Sequence, residues 1–406
     1  MASVVRSPAE SGPRLLVMGA GPAQLGLLEA AKAQGVWTAV CDRNPGAPGF
    51  ALADRRCIVS TEDEPAIERL AAALSLDGVI APGSDWAVAA AARVAERLGL
   101  AHPLTPAVAM RTTHKQRQRE ALAAAGVPQP RWQAVADYGE GLAVPLPFVV
   151  KAPDRQGQKG LSVVEEEHEY ADAFLRARAA SRGSVVLVEE VIEGPEVSVT
   201  GFCAGGVYIP LAVTDTIVAE APAFGVALAH LWPSHHGELA VEVARRAVEA
   251  VGIGDGPSQV VLRITRGGPE VISVAARLGA GHDAELVQAV TGVELNALAL
   301  AAALGTPVAA SEVAAGYGAR VGGAATRFLV APPGELEYVE VMHGLPGVVA
   351  TRIYRESSHA YGPLERAADR AGAVLAVGGS REDALARAES AALQIRFVTA
   401  DAEILV

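Results

Sequence analysis

Between residues 14 and 104 the chain alternates short apolar runs with helical patterns, and few architectures accept that order. RLLVMG leads into a glycine turn at Gly19 and Gly21 and a helix over Leu25–Ala33. VWTAVCD, RCIVS and DGVIAPG are three further apolar runs, separated or followed by helical stretches at 62–74 and 86–98. Strands that are apolar throughout must be covered on both faces. The pattern therefore predicts a doubly wound α/β unit with a parallel sheet over residues 13–105.

At 406 residues the chain is too long for a single core, and the pattern changes as it proceeds. Residues 1–12 read as a disordered tail. Residues 106–192 carry a helix that ends at Gly126, short strands, a glycine-bearing loop and another helix, the pattern of a small α+β lobe. Residues 193–310 turn to longer strands of antiparallel character, with a hairpin signal at RGGP. Residues 311–406 read as a mixed α/β lobe ending in a long helix over 381–395. Aromatics make up only 4% of the chain, and small residues take their place, which suits helices lying close on sheets.

The net charge of −12 argues against a nucleic-acid groove as the main function. Cys41, Cys57 and Cys203 form no CxxC pair, so neither a disulfide framework nor a zinc site is indicated. No signal-peptide core and no membrane-length apolar run is present, and a cytoplasmic protein is expected. The cations are uneven: four lysines stand against thirty arginines, and Lys115, Lys151 and Lys159 fall within 45 residues. A lysine kept where arginine is the default suggests a need for a compact ammonium, and marks that stretch for chemistry.

Two glycine loops compete for a nucleotide. Gly19-Ala20-Gly21-Pro22-Ala23-Gln24 follows a strand and opens a helix, but the third glycine of a dinucleotide fingerprint is replaced by Gln24, and the next glycine is Gly26. A turn that merely tightens the backbone, or faces a different ligand, explains it better. The second loop is stronger. FVVKAPDRQGQKGLSVV sets Lys151 at a strand end before Gly157 and Gly160, where an ammonium and backbone N–H groups can hold phosphate oxygens. VVLVEEVIEGPEVSV then places Glu189 and Glu196 on two strands across a turn at Gly194.

Taken in order, Lys115, GVPQP, VVKAPDRQGQKG, VEEVIEGPEVSV and AARLGAGH resemble the ATP-grasp superfamily over almost the whole chain. The likeness is nearest to its carboxylate–amine ligases, including L-amino-acid ligases. The resemblance implies ATP as cofactor, with Lys115, Lys151 and Lys159 on its phosphates and Gly157 and Gly160 in a mobile loop above them. It places Glu189 near the adenine amino group, the backbone of Val191 and Ile192 along the adenine edge, and Glu196 on the ribose hydroxyls. Arg277 would steady an acyl phosphate as the catalytic arginine, and His230, Gly281 and His282 would line the substrate pocket. Small carboxylate and amine substrates, amino acids or short peptides, are implied as partners, together with a homodimer. A solvated loop is the competing reading for the segment that holds His230.

The resemblance fails at the metal. Where the family carries Mg²⁺ ligands, this chain has Val261, Ser273 and Ala275, with Gln259 where a histidine often stands. Mg²⁺ wants hard oxygen ligands, carboxylates above all. Glu270 lies three residues from Ser273, so on a regular strand it faces away, and only a bulge would return it. Asp283 and Glu285 are the nearest other acids. Two functions follow: an ATP-dependent ligase that forms amide bonds through an acyl phosphate, or a degenerate relative that binds nucleotide without efficient ligation.

Overall fold

The computed structural model describes residues 12–400 except 221, 222, 224, 317 and 356. The expected tail therefore lies, but for residue 12, outside the described residues. The N-terminal unit comprises β1 (Arg14–Met18), α1 (Leu25–Ala33), β2 (Trp37–Asp42), β3 (Arg55–Ile58), α2 (Glu64–Ala73), β4 (Gly78–Ile80) and α3 (Asp85–Leu98). Its four strands pair in parallel in the order β3-β2-β1-β4. Leu15, Leu16, Val17 and Met18 are fully buried, as strands covered on both faces require. Helix α2 starts where the Asp63 carboxylate accepts the Ala66 N–H at 3.0 Å, a side-chain cap.

Helices α4 (Pro106–Thr113) and α5 (Lys115–Ala124) lead into the small lobe. That lobe holds β5 (Trp132–Val135), β6 (Phe148–Lys151), β7 (Leu161–Val164), α6 (Tyr170–Ala180) and β8 (Val186–Glu190). The strands form an antiparallel sheet ordered β5-β8-β6-β7, and Tyr170, Ala173, Phe174 and Ala177 of α6 pack in its core.

The third region contains β9 (Glu196–Ala204), β10 (Val207–Val218), β11 (Ala227–Trp232), α7 (Gly237–Val251), β12 (Gly256–Thr265), β13 (Gly268–Ala275), α8 (Asp283–Thr291) and α9 (Leu295–Ala303). It is followed by α10 (Ala310–Ala315), β14 (Gly323–Leu329), β15 (Gly334–Val341), β16 (Val348–Ile353), β17 (Ala360–Tyr361), β18 (Gly372–Gly378), α11 (Arg381–Ala392) and β19 (Ile395–Ala400). The expected boundary at residue 310 does not separate two sheets. Strands β14, β18 and β16 extend the central sheet to eight antiparallel strands, ordered β13-β12-β9-β10-β11-β14-β18-β16. The last described element is a strand rather than the expected long helix: α11 stops at Ala392, and β19 pairs with β15.

The two faces of the central sheet differ because its strands alternate. Val197, Val199, Val260, Leu262 and Val274 point into an apolar cluster shared with α7. Their neighbours Glu196, Ser198, Thr200, Gln259, Arg263, Thr214 and Thr216 occupy the opposite face, which is therefore polar. That polar face is the floor of the candidate site.

Candidate functional site

Helix α5 is the pivot of the site. Its first residue, Lys115, donates its backbone N–H to Pro153 O at 2.7 Å and its ammonium to Arg155 O at 2.6 Å, which holds the loop after β6 against the helix. One turn later Arg119, only 1% exposed, grips Glu189 bidentately at 2.8 and 3.0 Å. Glu189 also receives the ammonium of Lys151 at 2.5 Å. Burial alone would raise the Glu189 carboxyl, but Arg119 and Lys151 outweigh it and hold it down to about 2. Burial lowers Lys151 to about 8 despite the attraction of Glu189, and it lowers Lys115 as well.

Arg277, just beyond β13, is ion-paired with Asp85 at the start of α3, and the Asp85 N–H donates to the Gln156 side chain on the glycine-bearing loop. Lys115 feels both Asp85 and Arg277 through space. Five predicted or newly found groups thus converge from five segments of the chain: Lys115, Lys151, Glu189, Arg277 and Asp85. Asp85 was not singled out from the sequence. Its signal was an acid just past the carboxyl end of a parallel strand, the edge at which doubly wound sheets bind ligands. Lys159 stands exposed on the loop, and Gly157 and Gly160 adopt positive φ of 63° and 72° on either side of it.

At the hinge between β8 and β9 a cavity of about 610 Å³ is lined by Val191, Ile192, Glu190, Ile264 and Glu270. Glu189 does not line it, since alternation along β8 turns Glu189 inward and Glu190 towards the cavity. On the floor beside the hinge, Glu196 is paired with Arg263 at 3.0 Å, and burial raises its carboxyl above the usual range.

One expectation needs correcting. Val261 opposes Ser273, but Leu262 opposes Val271, so Ile272 is an extra residue in β13. The bulge places Glu270 opposite Arg263 and on the same face as Ser273, towards the hinge cavity rather than away from it. Arg119 stabilises the bulge by donating to Val271 O at 2.7 Å and Ile272 O at 2.9 Å.

The bulge does not rebuild a metal site. Val261 and Ser273 face each other with Ser198, Ala275 opposes Gln259, and the Arg263 cation stands between Glu196 and Glu270. Among the described residues no group of three or more His, Cys, Asp or Glu side chains could hold a metal ion. The family's metal positions do not fit Mg²⁺ in this chain.

Further along the polar face, His230 of β11 is 7% exposed, with Nδ1 2.9 Å from Asp283 Oδ1. The two atoms meet without hydrogen-bond alignment. Gly281 gives His230 its room, because a Cβ at residue 281 would lie 2.4 Å from the ring. His282 turns the other way, its Nε2 lying 2.7 Å from the Tyr354 hydroxyl. The buried Thr214, Thr216 and Thr326 hydroxyls have no hydrogen-bond partner among the described residues. Each such group costs about 1–3 kcal/mol unless a ligand or water satisfies it.

The first glycine loop is closed to a dinucleotide. Gln24, 5% exposed, fills the space under Gly19, and Asp42 accepts the Ala20 N–H at 2.9 Å rather than facing a ribose site.

The structure superimposes on an L-amino acid ligase from Bacillus licheniformis with a TM-score of 0.81, at 22% identity, covering 96% of this chain and 99% of that one. The chain is built on the ATP-grasp fold. Its residues 327–400 match the family model for L-amino acid ligase C-terminal domain 2. This ATP-grasp chain is 28% identical to the formate-dependent phosphoribosylglycinamide formyltransferase of Burkholderia lata, over 96% of each chain. It is 29% identical to the uncharacterized protein y4rH of Sinorhizobium fredii over 67% of its own length, and spans 58% of that relative. Among the described residues no single helix is long and apolar enough to cross a membrane.

Proposed function

We propose that the protein is an ATP-dependent carboxylate–amine ligase acting on amino acids or short peptides. The observation that carries this reading is the meeting of Lys115, Lys151 and Arg277 beside a buried polar sheet face. Three cations that converge in one place suit an anionic ligand.

In this reading adenine lies in the hinge cavity against the backbone of Val191 and Ile192, and Glu196 exchanges Arg263 for the ribose hydroxyls. Lys115 and Lys151 hold the triphosphate, with Lys159 and the loop of Gly157 and Gly160 above it. A substrate carboxylate oxygen attacks the γ-phosphorus, giving ADP and an acyl phosphate. Arg277 leaves Asp85 to steady that anion. The amine nitrogen then attacks the acyl carbon, loses a proton and expels phosphate, in a pocket lined by His230, Gly281 and His282. The charge that develops in both steps falls on oxygens within reach of fixed cations, where preorganised electrostatics lowers the barrier most.

The second reading, a nucleotide binder without efficient ligation, is favoured by one feature: Val261, Ser273 and Ala275 at the metal positions. ADP release with a panel of amino-acid pairs, run with and without Mg²⁺ or Mn²⁺, separates the two. The ligase requires ADP release that depends on an acceptor amine. A thermal shift with ATP but no turnover under any metal would end it.

A further inference from the structure

Alternation along β6 and β8 gives the small lobe two chemically different sides. Lys151 and Glu189 face the candidate site, whereas Phe148, Val150, Val186 and Val188 pack with α6 on the other side. On that second side a hollow of about 550 Å³ opens between the β5–β6 connection and the turn before α6. Tyr138, Glu140, Leu142, Leu146, Glu167 and Tyr170 are among its walls. Aromatics are only 4% of the chain, yet four of them gather here. Tyr170 stacks on Tyr138 with 5.2 Å between ring centres, and meets Phe148 and Phe174 edge-on at 5.6 and 6.0 Å.

Two observations point to a ligand. Tyr170 is 8% exposed, and its buried hydroxyl has no hydrogen-bond partner among the described residues. The charges around it are one-sided. The Tyr138 phenol and the Glu140 carboxylate both act through space on that hydroxyl, so their oxygens gather at one end of the hollow. Glu140 is fixed there, because its Oε1 accepts the Ala136 and Asp137 N–H groups at 2.9 and 2.8 Å. Residues 136–150 and 164–175, which build the hollow, hold seven acids and neither lysine nor arginine. Arg176, one residue further on, is turned to the Ser162 hydroxyl at 3.2 Å.

We propose that this hollow binds an alkylguanidinium group, its planar cation facing Tyr138, Glu140 and the Tyr170 hydroxyl and its carbon stem lying along Leu142 and Leu146. A guanidinium carries five N–H donors in one plane, enough to serve several oxygens at once, and it stacks on aromatic faces. Tyr138 is 50% exposed, so part of its ring stays open while the rest lies on Tyr170. A primary ammonium is a more strongly hydrated point charge, and a quaternary one has no proton for the phenol oxygen. A free guanidino compound and an arginine side chain share this chemistry. The site lies across the small-lobe sheet from Lys151, goes beyond the ligase reading and requires neither nucleotide nor turnover.

Calorimetric titration of the full chain with n-butylguanidinium, without nucleotide, tests it. One molecule is expected to bind per chain, with the neutral isostere N-butylurea and the point charge n-butylammonium each about tenfold weaker. N-acetyl-arginine amide separates the two sources: tighter binding than butylguanidinium assigns the site to an arginine side chain, weaker binding to a free guanidino compound. Tyr170→Phe removes only the unpaired hydroxyl, and Glu140→Gln removes the charge while keeping an acceptor for the turn. Each should weaken butylguanidinium about fivefold, with circular dichroism and ATP binding unchanged. No binding by the wild-type chain, equal binding of the urea, or equal affinity in a folded Tyr170→Phe variant would overturn the proposal.

Discussion

Glu189 is the residue on which the nucleotide side of the site turns, because two buried cations share one carboxylate. Removing a single partner leaves an uncompensated buried charge. Arg119→Met is therefore expected to cost about 3 kcal/mol, read as a fall in the midpoint of chemical unfolding. Adding Glu189→Gln should recover part of that loss, since Lys151 alone can shed its proton. The same carboxyl sets an acid limit. With a folded pKa of about 2 against an ordinary 4.5, it binds fewer protons folded than unfolded. Its stabilisation is complete above 4.5 and is lost as pH falls towards 2. Lys151 instead sets a basic limit, on binding rather than on stability. Burial lowers it to about 8, while a bound triphosphate favours its charged form. ATP binding at pH 8.5 should take up protons, and affinity should fall as pH rises further. Calorimetry in two buffers of different ionisation heat measures that uptake, and zero uptake would remove Lys151 from the phosphates.

Among the elements, those with strong periodicity were legible in the sequence. The apolar runs of β1, β2 and β4 could only be covered strands, and the RGGP signal is the β12–β13 turn. Irregular pairing was hidden. Nothing in GPEVISVA shows that Ile272 is extra, because the cause lies 153 residues away, where Arg119 takes the Ile272 carbonyl. Glu270 therefore read as facing away, and the structure turns it towards the hinge. Asp85 was missed for a related reason: its partners Gln156 and Arg277 come from distant segments. At the hinge, Gly194 has φ +129°, and a Cβ there would lie 2.1 Å from Ile264 O. Gly194→Ala should cost about 1–3 kcal/mol in overpacking and weaken ATP more than it weakens the amine or carboxylate substrate. A comparison of the three KM values checks this, and a uniform loss would show that the hinge merely supports the fold.

On the scale of the whole molecule, the small lobe is fastened to the N-terminal unit as well as to the sheet. Arg182 is ion-paired with Glu62 and lies 3.5 Å above the Trp86 ring, and Arg155 approaches the same carboxylate at 3.8 Å. Each contact is partly exposed and of modest strength, so the lobe is held by their sum. Arg182→Ala removes two of them. It should raise the rate of protease cleavage within the small lobe several-fold, with the global unfolding midpoint nearly unchanged. If cleavage stays at the wild-type rate, the fastening contributes nothing in solution.

The account as a whole depends on ATP entering the cleft beside Lys151. Titration of ATP into the wild-type chain and into Lys151→Met, followed by heat or by thermal shift, tests that directly. One ATP per wild-type chain and at least tenfold weaker binding by a folded variant are the predicted results. Equal binding by the two proteins would contradict the site.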